Sequence, residues 1–467
     1  MSKERHKEKT DEANAEDEAS KRTGRTPNEV LPDQKFDEYQ CSGKVEVDFP
    51  GLCALLDMKD IPTVSTKQAA SSTTETEEEY TTSAAPNWSQ ARLQVELANE
   101  DPLSARKLTV FGWKVDKQIA RVLLKMFPSL DKLQSLQFWQ AGLTDQMVAS
   151  LMNTVSLCKN LRVVTLEGNH LPEQSYHLLL SEDSVLTHLY LRNNRIGDKG
   201  AHLIGSALST ARSANKNLNY LNLAFNCIGD AGATHIAQGL RFNRTLLMLS
   251  LYNNQIGDSG AAQLAAILSE FALTHGEVVE RRKMLLERTQ SSSSSVDSNP
   301  PADQRVSAAT ASSSSLSIKG GNKGKKKITS KREKKPAANK ENPKLNRKLS
   351  GIKMTQSKAE EPGEPEKPLH EQEPVKIVNP LLDEPLQYRD GELFLPGNKA
   401  LVSLNLAGNR ITRKSLPLFL TSLEMQGEGR RLLRLCLQRN RFPPECEYYV
   451  KIMELMTLRD PLKENSS

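Results

Sequence analysis

The chain has 467 residues, 37% of them hydrophobic and 26% charged, and its mean hydropathy is −0.53. That balance excludes a wholly globular chain of this length, because some stretches lack the apolar surface needed to offset chain entropy. The formal charge is +6, and no apolar run approaches the roughly 18 residues of a membrane-spanning helix.

Met1 to Ser20 is almost entirely polar, which predicts no secretory signal. Residues 1–87 read as a mostly disordered region, with a Ser/Thr/Glu-rich run from Ser71 to Ser83. One apolar patch, Val45 to Leu56, stands out there; it either packs on the first ordered coil or acts as a short binding motif. From residue 88 to 289 a pattern repeats. Three copies are close: Leu186-Thr-His-Leu-Tyr-Leu191-Arg-Asn-Asn194-Arg-Ile196-Gly-Asp198, Leu218-Asn-Tyr-Leu-Asn-Leu223-Ala-Phe-Asn226-Cys-Ile228-Gly-Asp230 and Leu246-Leu-Met-Leu-Ser-Leu251-Tyr-Asn-Asn254-Gln-Ile256-Gly-Asp258. Looser copies precede them, with Trp113, Ala141 and Asn169 at the Asn position.

Within one copy the alternation Leu-x-Leu predicts a short strand with both leucines inward. The Asn sits where the chain turns, and its amide is expected to bond backbone groups of neighbouring coils. Asp198, Asp230 and Asp258 stand at helix starts, where a carboxylate is expected to accept from orphan N–H groups. Apolar spacing predicts the helices that follow: Ile204, Ala207, Leu208 and Ala211; Ile236, Ala237 and Leu240; Leu264, Ala265, Leu268 and Phe271. Gly200, Gly232 and Gly260 fall in the first helical turn and are expected to mark close packing on the strand. After Leu268 the helical pattern is expected to continue towards Arg288.

The pattern then stops. Residues 290–378 form a Ser/Lys-rich, then Pro/Glu-rich insertion that reads as disordered. Lys319 to Leu349 holds thirteen Lys and Arg against two Glu and no aromatic residue. Two more copies follow within residues 379–460, Leu401 to Ile411 and Leu432 to Phe442, and the chain ends in a capping helix and a tail at 461–467. The insertion therefore interrupts one array instead of joining two domains, and loop length adds closure entropy only logarithmically.

These copies, Leu-Tyr-Leu-Arg-Asn-Asn-Arg-Ile-Gly-Asp and its companions, resemble leucine-rich repeats of the ribonuclease-inhibitor-like class over roughly residues 100–285 and 390–460. The resemblance implies an α/β solenoid (a horseshoe) with parallel strands on the concave face and helices on the convex face. The order of repeats, Ser/Lys-rich insertion and two final repeats is similar to that of a ciliary or axonemal leucine-rich repeat protein. It implies a non-enzymatic scaffold in such a setting.

In this geometry the candidate protein-binding residues of the concave face are Phe111, Trp139, Tyr190, Arg192, Asn222 and Tyr252, since aromatics and Arg dominate binding hot spots. The bland alternative is an exposed surface of ordinary apolar content. The insertion is either a solvated spacer or a polyanion binder through Lys325, Lys326, Lys327, Lys331, Arg332, Lys334 and Lys335. Its partners would be acidic tails such as those of tubulin or, less readily, nucleic acid or anionic lipid. The same Lys run resembles a nuclear-import sequence, so a nuclear or nucleic-acid-associated adaptor is the alternative reading. Arg347-Lys-Leu-Ser350 makes Ser350 a phosphorylation candidate.

No HExxH, GxSxG or metal-spaced Cys/His set occurs, and Gly320-Gly-Asn-Lys-Gly-Lys325 fails the phosphate-loop spacing, so no enzyme chemistry, cofactor or small-molecule substrate is expected. Arg192 on the concave face leaves a regulator of a GTPase as the weakest alternative. Cys41, Cys53, Cys158, Cys227, Cys436 and Cys446 form no cluster, which predicts free thiols and an intracellular protein, cytoplasmic or nuclear.

Overall fold

The computed structural model describes residues 32–68, 91–294, 379–427 and 431–459. The chain divides into two units, residues 1–291 with 377–467 and residues 292–376. All described residues lie in the first unit except the end of one helix.

The first unit opens with helices α1 (Pro32–Glu38) and α2 (Val45–Leu55) and strands β1 (Thr63–Gln68) and β2 (Arg92–Leu97). Strand and helix then alternate: β3 (Ala105–Phe111), α3 (Lys117–Met126), β4 (Ser135–Trp139), α4 (Asp145–Leu157) and β5 (Val163–Glu167). The next repeat is short, and a 3-10 turn at Ser175–Leu180 replaces the helix. There follow β6 (His188–Tyr190), α5 (Asp198–Leu208), β7 (Tyr220–Asn222), α6 (Asp230–Phe242), β8 (Met248–Ser250) and α7 (Asp258–Ala266). A connecting group comprises β9 (Phe271–Ala272), α8 (His275–Ser294), α9 (Pro380–Asp383), β10 (Gln387–Arg389) and β11 (Glu392–Leu395). The chain closes with β12 (Ser403–Asn405), α10 (Leu416–Glu424), β13 (Arg434–Cys436) and α11 (Glu447–Leu458).

The main sheet has ten strands in the order β1-β2-β3-β4-β5-β6-β7-β8-β12-β13. Every pair is parallel except β2 with β3. β8 pairs directly with β12, Met248 opposite Ser403, so the sheet is continuous across the long sequence gap. Leu189, Leu221, Leu249, Leu404 and Leu435 stand in one register row and are buried against the helix layer. Each such leucine contributes roughly 1.5–3 kcal/mol of burial.

Three ladders of side-chain amides and carboxylates tie the repeats together. The first is the expected Asn ladder. Asn226 accepts from the backbone N–H of Asn194 (2.9 Å) and Ile196 (3.0 Å) and donates to Leu191 O (2.9 Å), all one repeat back. Asn254, Asn409 and Asn440 repeat this on Ile228, Ile256 and Ile411. At the degenerate end Asn169 accepts from Ala141 N–H, and the Trp113 indole donates instead to Arg92 O at 2.8 Å.

The second ladder corrects an expectation. Asp198, Asp230 and Asp258 are the first residues of α5, α6 and α7, but their carboxylates do not cap those helices, whose N-caps are Gly197, Gly229 and Gly257 with no side-chain bond. Each reaches forward. Asp198 accepts from Gly229 N–H (2.7 Å) and Gly232 N–H (2.9 Å), and Asp230 from Gly257 (2.7 Å) and Gly260 (2.9 Å). Asp258 takes Thr412 N–H, Thr412 Oγ1 and Ser415 Oγ at 2.6–2.8 Å. Gly232 is therefore not a contact of helix on strand: a Cβ there would lie 2.5 Å from Asp198 Oδ1.

The third ladder lies at the opposite turn. Asn215, Asn243 and Asn398 each accept from the N–H three residues on and donate to carbonyls of the preceding repeat, Asn243 to Leu208 O at 3.0 Å and Asn398 to Leu240 O at 2.8 Å.

Two regions depart from the sequence reading. Residues 32–68, assigned above to a mostly disordered region, hold two helices and a strand, and Phe49, Leu52 and Cys53 are fully buried. Of the two alternatives for Val45 to Leu56, packing is the one observed; the rest of residues 1–87 lies outside the described residues. The helix of the eighth strand's repeat also stops at Ala266, and Phe271 pairs in β9 with Leu395 of β11. A satellite core of Phe242, Phe271, Leu273, Met284, Leu381 and Leu395 forms there.

Candidate protein-binding face

Alternation along each strand sends one set of side chains into the helix layer and leaves the other on the open face of the sheet. Register aligns these outward residues in rows. Phe111, Trp139 and Glu167 stand side by side on β3, β4 and β5, and Thr165, Tyr190, Asn222, Ser250, Asn405 and Cys436 form a second row. A third row, Val163, His188, Tyr220, Met248 and Ser403, precedes the inward leucine.

The six candidate protein-binding residues named from sequence lie on this face, but they do not form one cluster. Phe111 and Trp139 are half-buried neighbours at its first end, with Trp139 Nε1 donating to Gln137 Oε1 at 3.4 Å. Tyr190 joins His188 and Tyr220: the two tyrosine rings are 5.1 Å apart and His188 stacks on Tyr220 at 5.8 Å. Burial holds the His188 pKa below its ordinary value. Asn222 is half-buried and accepts from Ala224 N–H at 3.0 Å, bracing its own turn.

Arg192 and Tyr252 belong to a more ordered arrangement. Arg192 is exposed, and its guanidinium lies 4.3 Å from the centre of the Phe225 ring. Phe225 meets Tyr252 edge to face at 5.1 Å, and Arg439 Nη1 donates to the Tyr252 hydroxyl at 2.9 Å. Arg192, Phe225, Tyr252 and Arg439 thus form a row along the turn side of the sheet, two touching aromatics flanked by a cation at each end. Glu167 lies beside Arg192; burial raises its pKa and the Arg192 charge opposes that.

Sequence reasoning missed Phe225, Arg439 and Tyr220. Phe225 and Arg439 occupy the left-handed turn position, with φ of 57° and 59°. The same position holds Asn193, Asn253 and Gly408, the residue types that tolerate it. A bulky aromatic there costs on the order of 1–2 kcal/mol, and such strain persists where surrounding structure or function holds it. The signal was readable: Phe where sister repeats carry Asn.

Lys325, Lys326, Lys327, Lys331, Arg332, Lys334, Lys335 and Ser350 lie outside the described residues. Among the described residues no group of three or more His, Cys, Asp or Glu could hold a metal ion, and no helix is long and apolar enough to cross a membrane. Residues 183–205, 214–237 and 242–265 each match the family model described as Leucine Rich repeat.

Proposed function

We propose that this leucine-rich repeat chain is a non-enzymatic scaffold whose open sheet face, the concave face of a solenoid, holds a protein partner. The observation that carries the reading is the row Arg192, Phe225, Tyr252 and Arg439. Rigid aromatics and guanidinium groups are the side chains that dominate binding energy when a partner desolvates them. The row is pre-organised by its own contacts, which lowers the ordering cost of association. The cluster of His188, Tyr190 and Tyr220 extends the same face towards Asn222 and Trp139.

The setting we propose is intracellular, with a ciliary or axonemal location resting on the resemblance in repeat arrangement. The Lys325 to Lys335 run would tether the scaffold to an acidic surface such as tubulin tails through its dense positive charge. Quantitative affinity capture with the full chain and an Arg192→Ala/Phe225→Ala/Tyr252→Ala variant tests the binding face. Proteins captured by the parent should be lost from this variant and kept by a Gln238→Ala/Gln263→Ala variant of the exposed helix layer. Equal capture by all three chains would reject it.

A further inference from the structure

The C-terminal end of the open face carries a feature of which the binding row uses only Arg439. The turns after β12 and β13 read Gly408-Asn-Arg410-Ile-Thr-Arg413-Lys414 and Gln438-Arg439-Asn-Arg441-Phe442, five cationic residues and no acidic one. The two turns run side by side. Gly408 N–H donates to Gln438 O at 2.8 Å, Arg441 N–H donates to Ile411 O at 2.8 Å, and Thr412 bridges Arg441 in parallel. Arg410 and Arg441 therefore hold equivalent positions on adjacent coils, where backbones lie about 4.8 Å apart.

All five cationic side chains are exposed, and none joins an ion pair among the described residues. Of the nearby carboxylates, Asp258 feels the Lys414 charge, but its oxygens are taken by hydrogen bonds from Thr412 and Ser415. Glu447 pairs with Lys451 at 2.6 Å; Glu445 is the exposed acid that follows. Adjacent turns that carry one sign of charge attract an anionic partner. Arg439 is also oriented in advance, since its bond to Tyr252 passes over Gly408, where a Cβ would sit 3.2 Å from the Tyr252 ring.

We propose that this arginine edge receives an acidic, extended segment of the partner protein. The inference rests on the binding-face reading and names the chemistry of what binds there. Planar guanidinium groups match carboxylates in a two-pronged geometry that an ammonium does not offer, and four of the five cations are arginines. Carboxylates of the segment meet Arg410, Arg439 and Arg441, and its chain continues across Tyr252 towards Phe225. A single-stranded nucleic acid fits less well. It requires open aromatic faces for stacking, and here Arg192 already lies over Phe225.

The test uses the full chain and fluorescence anisotropy of a labelled oligoglutamate peptide, with its oligoglutamine twin as control. Two charge-neutralised forms are compared: an edge form, Arg410→Gln/Arg413→Gln/Lys414→Gln/Arg441→Gln, and an insertion form with every Lys and Arg from 325 to 335 changed to Gln. The substituted edge positions are exposed, and circular dichroism checks that both forms fold. The edge form should bind oligoglutamate on the order of tenfold more weakly, the sum of several exposed pairs, while the insertion form retains a salt-sensitive complex. Parent-like affinity in the edge form, or loss confined to the insertion form, would overturn the proposal. So would an oligonucleotide or an anionic vesicle that depends on the edge more strongly than the peptide does. If the edge form captures the same proteins as the parent while the Arg192→Ala/Phe225→Ala/Tyr252→Ala form does not, the binding face stands and this inference falls.

Discussion

Asp198, Asp230 and Asp258 stand at the first helical residue of their own repeats and serve the repeat that follows, each satisfying two or more donors at the next helix start. The sequence showed that a carboxylate belongs there; it could not show which coil receives it, because the partner is about one repeat away and local capping rules see only a few residues. Asp230→Ala leaves the Gly257 and Gly260 N–H groups without their acceptor, and should lower stability by about 1–3 kcal/mol in urea denaturation. For Asp258, burial raises the pKa, but bonds from Ser415 and Thr412 outweigh it, so the carboxyl sits below its ordinary value of 3.8. A depressed folded pKa contributes stability above the unfolded value, and that stability fades as pH falls below 3.8 through the folded value. Asp258→Asn should therefore flatten the acid limb of a stability–pH profile; an unchanged limb would show that the contribution lies elsewhere. Phe225 presents the opposite balance. Phe225→Asn relieves left-handed strain while losing the Arg192 and Tyr252 contacts, so stability should stay within about 1 kcal/mol while partner capture falls sharply.

Among the elements, strands, helices and the Asn ladder were legible because one pattern recurs at a near-constant step. The third ladder was not, although its signal was present: Asn215, Asn243 and Asn398 each precede the first leucine of a repeat by three residues. A short apolar patch in a polar context hid α2, since periodicity over a dozen residues cannot tell a packed helix from a binding motif. Phe49→Ala removes a fully buried ring from the contact of α2 with the repeats and should destabilise by about 3–5 kcal/mol, read as a lower unfolding midpoint. A midpoint equal to the parent's would mean that α2 docks without supporting the repeats. Periodicity also overran at α7, which ends at Ala266; Phe271 satisfies helical spacing but pairs as a strand with β11, whose sequence lies beyond the insertion. No local pattern reports that pairing.

For the molecule as a whole, the sheet's continuity from β8 to β12 brings Tyr252 and Arg439 into contact across 187 positions of sequence. That contact completes the row, and it explains why only half of the candidate site could be read in advance. Arg192 and Tyr252 were visible as outward residues of clear repeats, whereas Phe225 and Arg439 lie in turns whose side-chain directions depend on the neighbouring coil. The most direct measurement of the central claim is site-specific photo-cross-linking in cells, with a photoreactive residue at Ser250 on the open face or at Gln263 on the exposed helix layer. Position 250 should yield a discrete cross-linked protein that disappears when Arg192 and Phe225 are changed to Ala, and position 263 should yield none. Cross-links from 263 alone, or from 250 undiminished by those substitutions, would contradict it.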